Sequence, residues 1–230
     1  MIIASLIWLF NRYVTPKTGI DIRPLLKPLK KASILLILLP CTPFRLYAQE
    51  QLYNYTISRN GNAIGSMQLS RKTVGIDTYF TITSKVKTRF VVGINVNTTD
   101  QARFNNGTLV YSNVFRTVNG NEKEAKRTRL VNNRYEIQSG RSSATSITGP
   151  INYNMMMLYL KEPAGILKVY SDNFQQFIAV NKLATHSYRL NLPDGNYNDY
   201  HFQNGICSKV LIHHSLYDIK IELTNSHTNS

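Results

Sequence analysis

Cys207 lies six residues before His213 and seven before His214, and no other pairing in the chain invites nucleophilic chemistry as directly. A thiol attacks as its thiolate, which forms near neutral pH only beside a base or a positive neighbour. Strand geometry works against this pairing. On one regular strand Cys207, Lys209, Leu211 and His213 share a face, yet six residues hold sulfur and imidazole about 20 Å apart. His214 comes nearer only if Ser215 opens a turn, which the change of parity between Ile212 and Tyr217 suggests. The reading carried forward is a buried, structural cysteine, since free Cys behaves as a small hydrophobe. A Cys-dependent hydrolase is the alternative.

Metal and carboxylate chemistry find less support. His213 and His214 are adjacent, so in a strand they face opposite ways and cannot both ligate one ion. His186, His201 and His227 lack the carboxylate or thiol spacing of a metal site, and neither His-Glu-x-x-His nor paired Cys-x-x-Cys occurs. No metal and no cofactor are expected. Asp194 is explained by turn chemistry, and Asp199 and Asp218 fall at turns or on polar strand faces, so no glycosidase-like carboxylate pair can be argued. Cations are better organised. Lys85, Lys87 and Arg89 line one strand face, and Lys123, Arg127 and Arg129 line another, with Glu122 and Glu124 on its opposite side. Each stripe is either a solvated outer face that discourages edge pairing or a docking surface for an anionic glycan or acidic envelope protein.

The elements that must position these residues are strands. From Tyr188 to Leu223 apolar and polar residues alternate between Asp194-Gly195 and Asn204-Gly205, residues that accept the positive φ of tight hairpin turns. Asn60-Gly61, Asn105-Asn106-Gly107 and Asn119-Gly120 repeat the signal upstream. In the cleanest strand Phe80, Ile82, Val86, Phe90 and Val92 share one face, opposite Tyr79, Thr81, Thr83, Lys85, Lys87 and Arg89. Parallel βαβ units would need helical crossovers. Gly149-Pro150 interrupts the pattern, and Asn154–Leu160 reads as one short helix ending before Pro163. Its methionines either plug an open end of the sheet or form a soft lining for an apolar ligand. The expected fold is all-β: an antiparallel meander of about 11–12 strands curled into a barrel or half-barrel, with one short helix.

Residues 1–48 read as an address. Lys27, Lys30 and Lys31 precede the apolar run Ala32–Leu39, and Leu46-Tyr47-Ala48 offers a cleavage site, the order of a secretory signal. The run is well short of the roughly 20 residues that span a bilayer, so no transmembrane span is expected in the mature chain. Met1–Leu26 is a long upstream extension, which a later true start codon would explain. Cys41 follows Pro40 rather than the small residue that precedes a lipoprotein cysteine, which argues against lipidation. The expected organisation is 1–48 signal with its extension, 49–225 one β domain, and 226–230 a disordered tail, with the periplasm as destination. Removing 1–48 takes seven basic residues and one acidic, lowering the net charge from +14 to +8. Export excludes nucleic acid as partner. Cys207 alone remains, so no internal disulfide forms.

Leu158-Tyr159-Leu160-Lys161-Glu162-Pro163, Val169 to Phe177 (Val-Tyr-Ser-Asp-Asn-Phe-Gln-Gln-Phe), Leu192-Pro193-Asp194-Gly195 and Asn204-Gly205-Ile206 together resemble an uncharacterised family. It comprises exported β-rich domain-of-unknown-function proteins of Gram-negative bacteria. More distantly, the chain is similar to periplasmic proteins that open with a Tyr-rich strand and a Gly-x-x-x-Gly hairpin, here Gly61 to Gly65. The resemblance covers most of the mature chain, implies an exported β fold, and carries no catalytic residue with it. The functional expectation is a non-enzymatic envelope protein that binds a lipid or other apolar or amphiphilic molecule inside the curl. Phe80, Ile82, Val86, Phe90, Met155, Met156 and Tyr159 would line it. The alternative is an adaptor that docks an envelope partner through its basic stripes.

Overall fold

The computed structural model describes residues 49–89, 93–140 and 142–229. The expected signal over 1–48, with Cys41, lies outside them, as do Phe90 and the side chain of Arg89. Eight strands open the unit: β1 (Gln49–Arg59), β2 (Asn62–Val74), β3 (Asp77–Arg89), β4 (Gly93–Asn105), β5 (Thr108–Val118), β6 (Asn121–Val131), β7 (Arg134–Ser139) and β8 (Ser142–Thr148). A five-residue 3-10 helix, Met155–Tyr159, follows. Then come β9 (Lys168–Ser171), β10 (Gln176–Ala179), β11 (Asn181–Ala184), β12 (Ser187–Asn191), β13 (Tyr197–Gln203), β14 (Ile206–His214) and β15 (Tyr217–Asn229).

Thirteen of these strands form one antiparallel sheet in the order β11-β12-β13-β14-β15-β1-β2-β3-β4-β5-β6-β7-β8, so the last strand docks on the first. The hairpins follow from the turn residues. Asn60 and Gly61 (φ 50° and 78°), Asn106 and Gly107, Asn119 and Gly120, and Asn204 and Gly205 all take paired positive φ. That backbone matches the right-handed twist of the flanking strands. Between turns the period of two sends alternate residues inward: Tyr53, Tyr55 and Ile57 from β1, Met67 and Leu69 from β2, Phe80 and Ile82 from β3, Ala102 and Phe104 from β4. So many strands twist too strongly to stay flat. The sheet curls far enough that Val114 of β5 and Tyr200 and Ile212 of β13 and β14 border one interior cavity. β8 and β11 end the strand order without pairing each other, an open curl.

The all-β expectation holds, with three differences in detail. Among the described residues there are fifteen strands, and Val169–Val180 splits into a separate two-stranded hairpin, β9–β10, turned by Asp172–Gln175. The disordered tail expected over 226–230 is strand as far as Asn229, which pairs with Glu50; β1 begins early enough to offer it backbone partners. The expected short helix is a 3-10 turn held between Asn154 and Leu160, and Pro163 close behind removes the donor that an extension would need. Among the described residues no helix is long and apolar enough to cross a membrane.

Candidate functional site

The segment between β8 and β12 folds back into the curl, and Asn154 fixes it there. Fully buried, its Oδ1 accepts from the Met157 amide at 3.3 Å, capping the helix, while its Nδ2 donates to Asp172 Oδ2 at 2.8 Å. Asn154 also bridges to Tyr170, whose amide donates to the Tyr153 carbonyl. Helix and β9–β10 hairpin are thereby locked together. Tyr159 extends from the helix between the rings of Tyr55 and Tyr200, edge-to-face at 5.4 and 6.2 Å. The Tyr55 hydroxyl donates to the carbonyls of Tyr159 and Cys207, tying the helix to β14.

On one side of the helix lies a cavity of about 250 Å³. Met67, Ile82, Val114, Met155, Met156 and Ile212 form its apolar wall, whereas Asp100, Asp172, Asn198, Arg116, Ser84 and Thr98 form a polar one. Strand parity explains the polar wall: Thr98 and Asp100 occupy the same inward row of β4 as Ala102 and Phe104. Arg116 and Glu124, directly paired across β5 and β6, face inward beside it. Glu124 accepts from Arg116 at 3.1 Å and from Lys126 at 2.6 Å, and Lys126 also donates to the Asn173 carbonyl. One carboxylate is thus shared by two cations.

The two aspartates have no such partner. Burial, reinforced by the Asp172 charge and opposed by Arg116, pushes the Asp100 carboxyl up to about 7. Burial pushes Asp172 up to about 6, against hydrogen bonds from Ser112 and Asn154 that favour its ionised form. Oδ1 of Asp100, Oδ1 of Asp172 and Oδ1 of Asn198 are all covered and accept no hydrogen bond. Nothing in the strand pattern flagged Asp100 or Asp172. The parity of β4 was the available signal for Asp100, since it falls in register with Ala102 and Phe104; Asp172 sits in a turn, where an aspartate draws no notice.

On the other side of the helix a second cavity, about 360 Å³, is lined by Phe80, Phe104, Met157 and Leu160, with Arg71 and Lys161 at its rim. The residues expected as an apolar lining therefore divide. Ile82, Met155, Met156 and Tyr159 border the first cavity, Phe80 borders the second, and Val86 packs at the margin of the core.

The basic residues lie on the outer face, with Lys85, Lys87, Lys123, Arg127 and Arg129 exposed. They do not merge into one patch. Arg127 is in register with Asn113, Gln101 and Thr81, hence three strands from Lys85 and about 13 Å along the sheet. Glu122, expected opposite Lys123, instead pairs with Thr117 on the outer face, because a bulge between Arg116 and Thr117 shifts the register by one.

Cys207 and His213 do not share a face. A bulge at Ser208 pairs Cys207 with Phe202 and Lys209 with His201, turning the thiol into the core and leaving His213 opposite Tyr197 outside. His213 stacks on Tyr197 at 4.4 Å and contacts Asp218 at 3.0 Å, while Asp199 takes a two-pronged pair from Arg189, both contacts at 2.7 Å. Burial pushes the Cys207 thiol up to about 12, which removes the thiolate a nucleophile needs. Among the described residues no group of three His, Cys, Asp or Glu side chains is placed to hold a metal.

An open, curled antiparallel sheet with an inserted helix and hairpin defines a β-barrel-like fold. The chain belongs to the domain-of-unknown-function family DUF6134, whose profile matches residues 55–224. It is similar to a solved β-barrel-like protein of the domain-of-unknown-function family DUF1849 from Brucella abortus. The TM-score is 0.51 at 10% identity, over 81% of this chain and 99% of that one, a likeness of fold. No curated protein matches the chain in sequence.

Proposed function

We propose that this protein is an exported, non-enzymatic envelope protein that holds one small amphiphilic molecule inside its curled sheet. The observation that carries the reading is the cavity beside the 3-10 helix, with an apolar wall of Ile82, Met155 and Met156 facing a polar wall of Asp100, Asp172 and Asn198. At about 250 Å³ it lies just below the roughly 300–1,000 Å³ of drug-sized ligand sites, so the occupant is small. Methionine side chains adapt to varied apolar shapes. Export is carried by the signal-like order of residues 27–48. Inertness is supported by the buried Cys207, and the adaptor reading loses ground because the basic residues are dispersed.

Thermal melts of the full chain with short-chain amphiphiles test the reading. Ser84 lines the cavity and is half-buried, so Ser84→Trp should fill the space while preserving the fold. At least one amphiphile should stabilise the wild type by a few degrees and leave Ser84→Trp unmoved. Equal shifts in both proteins, or no shift with any amphiphile, would refute binding in this cavity.

A further inference from the structure

The polar wall is built for one sign of charge. In and beside the cavity stand Asp100, Asp172, Glu124, Arg116 and Lys126, a net charge of −1 when all are ionised. Both cations make their ion pairs with Glu124, and Arg116 acts on Asp100 only through its field, without an ion-pair contact. Asp172 and Asn198, 6% and 8% exposed, both line the cavity and each keep a side-chain oxygen that accepts no hydrogen bond, and Asp100 supplies a third. A buried acceptor left unsatisfied costs about 1–3 kcal/mol, more when charged, so three in one cavity call for a donor-bearing guest. Resting on the binding reading above, we infer that the guest is a small organic monocation, a protonated primary amine with an apolar body. Its three N–H groups meet Asp100 Oδ1, Asp172 Oδ1 and Asn198 Oδ1, and its single charge neutralises the cavity. The body lies against Ile82, Met155 and Met156. Tyr159 and Tyr200 border the same space. Neither a carboxylate nor an alcohol head fits this set: the first repels the aspartates, and the second offers one donor to three acceptors.

The test compares n-hexylammonium, hexanol and hexanoate as probes on the full chain, by calorimetric titration and thermal melting at pH 8 and pH 5. The amine, charged at both values, should bind at pH 8 at least about tenfold more tightly than the other two. Its affinity should fall about tenfold or more at pH 5, where both aspartates are protonated. Asp172→Asn and Asp100→Asn should each weaken the amine about tenfold and leave hexanol unchanged. The comparison of probes and pH in the wild type stands even if a variant fails to fold. Equal binding of all three probes would overturn the amine while sparing the binding reading. So would amine affinity indifferent to both substitutions, or stabilisation by calcium chloride alone that depends on the aspartates and is not matched by the amine. Failure of every probe, in a protein that also carries no organic molecule by native mass spectrometry, would overturn both.

Discussion

Asp100 concentrates the tension in the molecule at the scale of single residues. Its carboxyl titrates near 7 when folded and near 3.8 when unfolded, so the folded state holds the proton more tightly. Stability contributed by such a group is complete below about 4 and is lost as pH rises towards 7. Burial sets most of this value, with Asp172 and Glu124 raising it further and Arg116 lowering it. Asp100→Asn should therefore leave stability near pH 4 unchanged and raise it by on the order of 2–4 kcal/mol at pH 8. Denaturant melts of the two proteins from pH 4 to pH 8 measure the difference, and a gap that does not widen with pH would remove the assignment. Cys207 gives a second prediction. With its thiol buried and raised to about 12, an aromatic disulfide reagent at pH 8 should label it only after unfolding. Rapid labelling of the native protein would restore it as a nucleophile.

At the scale of elements, close approach and capping hold the site together. Gly65 lies between Ile57 and Val86, where an added Cβ would stand 2.2 Å from the Lys85 carbonyl oxygen. Gly65→Ala must push β3 away from β2, backbone against backbone, and should cost about 2–3 kcal/mol, read as a fall in melting temperature of several degrees. Asn154→Ala removes a helix cap, about 1 kcal/mol, and also frees Asp172. It should lower stability by about 2 kcal/mol and weaken ligand binding together; loss of one without the other would separate cap from site.

The strands were legible because period and punctuation agree: Phe80, Ile82 and Val86 alternate against Lys85 and Lys87, and Asn-Gly pairs mark the turns. Bulges were not legible. The one at Ser208 reverses Cys207 against His213, and the one at Lys123 moves Glu122 outward; each depends on the pairing of two strands, which neither strand's own pattern contains. For the same reason the acidic wall was hidden, since Asp100 on β4 and Asp172 in the β9–β10 turn meet only when the hairpin folds into the curl.

For the whole molecule, the open curl borders a cavity with one apolar and one polar wall, and the proposed function is that one amphiphile occupies it. The proposed export predicts that cells producing the full chain release a protein shortened near Ala48, detectable by its intact mass; an uncleaved chain retained in the cytoplasm would contradict the address. The measurement closest to the central claim is native mass spectrometry of the protein released from such cells without detergent. The expected species is the processed monomer carrying one small organic molecule that leaves on unfolding and is absent from Ser84→Trp. A bare monomer, or an adduct that persists in Ser84→Trp, would contradict it.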